Sequence, residues 1–133
     1  MKAQPGSISG ANNPPDRGLS RSQRLTRNAH FQETFAQGRS YVGRTMVLWV
    51  READDAALRL GLVSSRKVGN AVARNHARRR LREAWRLNRY RLSSRVDVVI
   101  VARRAIGGAS ACEVEAELMA LCARAGLLQN ASE

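Results

Sequence analysis

Lysine is almost missing from this chain, and the gap is informative. Of 23 basic side chains only Lys2 and Lys67 are lysine, which leaves 21 arginines among 133 residues. A coat of charge kept only for solubility would use more lysine, whereas guanidinium grips phosphate through a planar, bidentate fork. Acid is scarce as well. Eleven Asp and Glu leave a formal net charge of +12. Such an excess repels cationic partners and favours a polyanion, either nucleic acid or an anionic membrane surface.

Long apolar runs are also lacking. Stretches such as Met46–Val50 and Val98–Ala102 reach five residues, far short of the roughly 20 that a membrane helix needs. The N-terminal residues have no apolar core of the kind a signal peptide carries. The expectation is a soluble, cytoplasmic protein with no membrane contact. Cysteine occurs only at Cys112 and Cys122. If both lie in one helix, as read below, they sit about 15 Å apart, beyond disulfide reach. The only histidines, His30 and His76, form no zinc-ligand spacing with them. No metal or cofactor is therefore expected on the protein itself.

What is present suits one globular domain. A chain of this length buries roughly two-thirds of its unfolded surface, enough to fold without disulfides or metal. Its 44% hydrophobic content excludes a wholly disordered basic tail. Residues 1–22 hold Pro, Gly, Ser and Asn without periodicity and read as a disordered tail. Asn28 is a candidate N-cap for a helix through Phe31 and Phe35 to Gln37, with Gly38 as its stop. Phe31 and Phe35 are four apart and share a face. Strands follow at Tyr41–Val42, Thr45–Val50 and Leu58–Ser64, the last alternating Leu58, Leu60 and Leu62. A helix is predicted from Asn70 to Arg89. Val96–Val101 is a β-branched run fit for a strand covered on both faces. Ser110 and Glu113 form a capping box that opens a last helix, closed by Gly126. The order αβββαβα predicts an α+β fold over 23–128, with 129–133 as a short tail.

The segment Arg66–Arg91 holds ten basic residues and one acid, Glu83, in a fifth of the chain. At about 100° per residue, Ala77, Leu81, Ala84 and Trp85 make an apolar face that should dock on the sheet. Asn75, Arg78, Arg79, Arg82, Arg86 and Arg89 fall in a separate arc about 100° wide. A solvated helix would interleave Glu with Arg for mutual support. With almost no acid here, self-repulsion must be offset by a bound polyanion. Gly69, between a strand and a helix start, permits an unusual backbone and close approach by phosphate. Arg74 lies near the apolar face, so its head is expected to bend toward the sheet surface. The six aromatics are Phe31, Phe35, Tyr41, Trp49, Trp85 and Tyr90. Phe31 and Phe35 read as core or, if exposed beside arginine, as a platform for single-stranded bases. Phe35 is expected to be the more core-like of the two.

These residues resemble the bacterial ribonuclease P protein component across roughly Arg24 to Leu128. The resemblance rests on Arg66-Lys67, Gly69-Asn70-Ala71-Val72, Arg74-Asn75, Arg78-Arg79 and Arg82 in that order. Departures are His76, Ala77 and Arg80, where the pattern has a basic residue and two larger aliphatics. Phe31, Phe35, Trp49 and Asp97 fit on the flanks. The resemblance implies a four-stranded sheet with helices packed on it and a left-handed βαβ crossover carrying the Arg-rich helix. General topology disfavours that hand in about 98% of cases. It further implies an auxiliary protein subunit whose partner RNA holds Mg²⁺ and removes the 5′ leader of precursor tRNA. By position, Phe31, Phe35, Trp49, Arg66 and Lys67 would line a leader cleft. Arg74, Asn75, Arg78, Arg79, Arg82 and Arg86 would face the catalytic RNA, one protein per RNA subunit.

Two other classes compete. A ribosomal or ribosome-associated RNA-binding protein of similar fold would share the charge and the sheet. A protein-only nuclease would need clustered carboxylates for metal or acid–base work. Between Ala56 and Cys112 the acids are Glu83 and Asp97. Each reads more simply as electrostatic or structural.

Overall fold

Alternating apolar residues build the sheet, and their parity decides which side each helix covers. In the computed structural model the described residues are 20–92 and 95–128. Of the predicted tails, 1–19 and 129–133 lie outside them. The chain runs through α1 (Asn28–Gln37), β1 (Ser40–Val42), β2 (Met46–Glu52), β3 (Leu60–Val63), α2 (Ala71–Asn88), β4 (Val96–Ala102) and α3 (Ala111–Arg124). This is the predicted α+β order. Strand order is β1-β2-β4-β3, with β1–β2 and β2–β4 antiparallel and β3–β4 parallel. The parallel pair is joined through α2, as a βαβ crossover requires.

One face of the sheet presents Met46, Leu48 and Val50 from β2, Leu60 from β3, and Val98 and Ile100 from β4, all buried. They pack with Leu81 and Trp85 of α2 and Val114, Leu118 and Leu121 of α3 in a single core. The buried positions of α2 are Ala77, Leu81, Ala84, Trp85 and Asn88, the apolar face expected from spacing. Each large aliphatic side chain so enclosed contributes about 1.5–3 kcal/mol. The opposite face carries the alternate residues and receives α1.

Local signals held at most element ends. Ser110 Oγ accepts from Glu113 N at 3.1 Å and Glu113 Oε1 accepts from Ser110 N at 2.8 Å. Gly38 and Gly126 have φ of 70° and 76°, the left-handed backbone that glycine ends helices with. The N-cap of α1 is Arg27, not Asn28, and no side chain caps it. The prediction failed there because a capping residue type does not fix the backbone turn that makes a cap. The third strand starts at Leu60, two residues later than predicted, because Leu58 sits at φ 57°. The second runs on to Glu52, since its last residues pair with Val96 and Asp97 of β4. Cys112 is exposed and Cys122 buried, both as free thiols on α3.

Candidate nucleic-acid interface

Two surfaces collect the residues singled out by sequence, and they meet at one seam. The first is the outer side of α2. Asn70 Oδ1 accepts from Ala73 N at 2.9 Å and starts the helix. Gly69 precedes it at φ 147°, where a Cβ would come within 2.9 Å of the Ala73 Cβ. Glycine is thus required by both backbone and space. Among the described residues, the guanidinium groups of Arg79 and Arg82 make no hydrogen bond or ion pair. Arg78 donates to Asn75 Oδ1, so these two present one joined polar unit.

Arg74, expected to bend away from the stripe, and the stripe members Arg86 and Arg89 are placed differently. Arg74 is half-buried and its Nη1 donates to Gly69 O at 3.0 Å, bracing the glycine turn at its own helix start. Arg86 is bound to Glu83, with Nη2 2.6 Å from Oε2. Arg89 leaves the arc because the helix ends at Asn88. Its Nη2 donates to Leu58 O at 3.3 Å, and burial lowers its pKa. The stripe residues left available on the outer side of α2 are therefore Asn75, Arg78, Arg79 and Arg82.

The second surface lies between α1 and the sheet. Phe35 meets Trp49 edge-on, with ring centroids 5.0 Å apart. Phe31 lies over Gly61, where an added Cβ would come within 2.6 Å of the ring. Phe35 is 38% exposed and Phe31 only half-buried, so the expectation about which ring is more core-like is reversed. The close approach to a bare glycine seats Phe31, a contact that sequence spacing alone cannot show. Beyond the end of α1 the strand register sets Val42, Val47, Val101 and Val63 in a row across the sheet. None of the four is buried. Aromatic rings and this open valine floor share one face of the sheet beside α1, where the cleft is expected.

Basic residues rim the cleft. Arg66 and Lys67 follow β3, both exposed, with no side-chain partner among the described residues. Pairing of Met46 with Ala102 brings three further arginines to the same end of the sheet. Arg103 Nη1 donates to Gly43 O at 2.7 Å, and Arg104 Nε donates to Lys67 O at 3.4 Å. Arg44 is the third, with its backbone N–H held by Glu117. Sequence reasoning missed Arg44, Arg103 and Arg104. The signal was available, since each flanks a strand end, but only the pairing order puts those ends side by side. A cavity of about 170 Å³ at the β3 edge links the two surfaces, with Phe31 and Gly61 in its lining from the cleft side and Arg78 and Arg82 from α2.

Neither carboxylate considered for catalysis is available. Asp97 is fully enclosed: Arg51 Nη1 and Arg59 Nη2 reach its Oδ2 at 2.7 and 2.8 Å, while the Ala57 and Arg59 amides donate to Oδ1. Burial works to raise its pKa, but these hydrogen bonds outweigh it and hold the carboxyl below the usual range. Arg51 also donates to Glu33 of α1 and to Asp55, tying the helix to the sheet. Glu83 is occupied by Arg86. No group of three or more His, Cys, Asp or Glu that could hold a metal ion occurs among the described residues. No helix among them is long and apolar enough to cross a membrane.

A cationic helix beside an aromatic cleft with a basic rim, on an α+β sheet, defines a small domain built to bind a polyanion. The chain belongs to the ribonuclease P protein family, whose model, described as Ribonuclease P, matches residues 19–126. This makes it an auxiliary protein component of ribonuclease P, with a part in tRNA 5′ processing. It is 38% identical over 113 residues to the ribonuclease P protein component of Symbiobacterium thermophilum, covering 84% of this chain and 98% of that one. The corresponding protein of Oceanobacillus iheyensis is 34% identical over 113 residues, covering 84% of this chain and 93% of its own. Among solved structures, the Staphylococcus aureus RNase P protein superposes with a TM-score of 0.72 at 26% identity, covering 80% of this chain and 98% of that chain. The Thermotoga maritima protein gives 0.68 at 28% identity, covering 76% and 96%.

Proposed function

We propose that this chain holds the catalytic RNA subunit of ribonuclease P on α2 and the 5′ leader of precursor tRNA in the cleft between α1 and the sheet. One protein acts per RNA subunit, in the cytoplasm, and the RNA carries Mg²⁺ and the chemistry. The observation that carries this reading is the seam. Phe31 and Arg82 line one cavity, so a strand stacked in the cleft is a near neighbour of an RNA on the helix. Phe35 and Trp49 supply π-faces, the valine floor tolerates any base, and the rim neutralises phosphates. That combination suits a single strand bound with little regard to sequence. The arginines of α2 screen repulsion between two polyanions, and the cleft fixes the substrate relative to the catalytic RNA.

The test is single-turnover cleavage of precursor tRNA by protein alone, RNA alone and both, across a Mg²⁺ series. Protein alone should be inert. RNA alone should regain cleavage at high Mg²⁺, because divalent ions can replace the screening. A leader-dependent gain should persist only with protein present. Cleavage by RNA-free protein, abolished in Asp97→Asn, would overturn the auxiliary reading. Sequencing the RNA that co-purifies with the chain separates this role from a ribosomal one.

A further inference from the structure

A groove of about 240 Å³ runs between α2 and α3, lined by Arg79, Ala84 and Leu87 on one side and Ala111 and Glu115 on the other. It shares no residue with the leader cleft. Its volume falls below the roughly 300–1,000 Å³ of a drug-sized pocket, which suits a single planar ring. Leu87 is 47% exposed there and gives the groove an open apolar wall. We propose that this groove receives one unstacked nucleobase bearing an exocyclic amine from the RNA that lies on α2. The inference rests on the reading of α2 as an RNA-binding face.

Three observations choose that occupant. Arg79 belongs both to the phosphate-facing stripe and to the groove wall, so a backbone on the stripe passes the mouth of the groove. Charge fits as well. His76 and Arg80 stand on the same side as Arg79, and Arg80 Nη2 lies 3.1 Å from His76 Nε2. A phosphate is therefore favoured at that edge and a cationic peptide is not, while Glu83 and Glu115, also in the lining, disfavour an acidic one. Across the floor stands a carboxylate. Glu115 Oε2 accepts from Asn88 Nδ2 at 2.7 Å, while Oε1 has no partner among the described residues. A carboxylate oxygen only accepts hydrogen bonds. It therefore welcomes an exocyclic amine, which adenine, cytosine and guanine carry, and disfavours the carbonyl oxygens of uracil. Ala84, Leu87 and Ala111 supply the apolar contact on which a ring gains by leaving water.

The test uses the full chain and a bacterial ribonuclease P RNA transcript, with binding measured over a salt series and the RNA probed by dimethyl sulfate. Ala111→Trp fills the groove from an exposed position at the first residue of α3. It should weaken binding about tenfold, the loss expected for one stacked base. The slope of log K against log salt should stay unchanged, because no phosphate contact is lost. One amino-bearing base protected by the native chain should become reactive. Glu115→Gln keeps an oxygen for Asn88 and places an amide N–H₂ where the free oxygen stood. It should weaken binding to the native RNA and recover when the protected base is changed to uracil. Native affinity and an unchanged footprint in Ala111→Trp would overturn the proposal. So would a groove that proves to hold a second copy of the chain, seen as a dimer that Ala111→Trp dissociates. If the native chain fails to bind the transcript, the reading of α2 falls first and takes the groove with it. If Arg79→Ala alters the salt slope while Ala111→Trp does nothing, only the groove is lost.

Discussion

Arg51 and Asp97 are paired across β2 and β4, and their side chains meet at 2.7 Å with neither open to solvent. One end of the pair is anchored in the sheet. The other reaches α1 through Glu33. The helix that forms one wall of the cleft is thus held by an ionic link as well as by Phe31 and Phe35.

Asp97→Asn should lower stability by about 1.5–3 kcal/mol, because it removes the buried carboxylate shared by Arg51 and Arg59 while Glu33 and Asp55 still hold Arg51. The pH dependence has a definite sign. The Asp97 pKa is lowered in the folded protein, so its contribution is full above the unfolded value near 3.9 and is lost as pH falls through the folded value. Urea melts at pH 7 and pH 3 should show the native chain losing much more stability than Asp97→Asn. Equal losses would remove Asp97 from the acid sensitivity.

Gly61→Ala should drive Phe31 out of its seat, since the new methyl group meets the ring edge at 2.6 Å. Overpacking of this kind costs about 1–3 kcal/mol. In a Phe31→Ala background the same substitution should be nearly neutral. Additive costs in the four-variant cycle would mean that the ring does not depend on the glycine.

The two phenylalanines should separate. Phe35→Ala should weaken binding of precursor tRNA more than that of leaderless tRNA, with a loss of about 1–3 kcal/mol for one stacked base. Its melting temperature should stay close to native, because the ring is partly exposed. Phe31→Ala should lose more stability. Equal loss for both RNAs in Phe35→Ala would return that ring to a packing role.

Arginines on α2 should divide by their partners. Replacing Arg79 or Arg82 by Ala should reduce the salt slope of RNA binding by about 0.7–0.9 each. Arg74→Ala should leave the slope alone and lower the melting temperature, since that side chain braces the Gly69 turn. Arg86→Ala should alter the slope less than Arg79→Ala, because its charge is already shared with Glu83. A uniform change across all four would restore the undivided stripe.

Only Cys112 should react with a disulfide reagent at pH 8. Cys122 is fully buried, and burial pushes its thiol pKa up to about 12. The thiolate is the reactive form, so the native chain should titrate as one thiol and the unfolded chain as two. Two fast thiols in the native state would mean that α3 opens readily.

Sequence alone determined the elements and the kind of partner. Period-2 and period-3.6 patterns fix which residues turn inward, and those patterns are local, as the buried set on α2 shows. The excess of arginine and the order of residues from Arg66 to Arg82 are equally local facts, and they point to RNA before any contact is known. Tertiary structure decided which of those arginines remain available. Arg89 falls in the same arc as Arg79 on a helical wheel. Yet the helix stops one residue before it and the Leu58 carbonyl holds its guanidinium, and nothing in helical spacing encodes that carbonyl. The cleft was likewise invisible as a unit. Val63 and Val101 are far from each other and from the Val42–Val47 hairpin in the chain, and Phe31 owes its position to a glycine thirty residues away. Strand order and register brought them together, because long-range pairing answers to the whole packed core and not to any window of sequence.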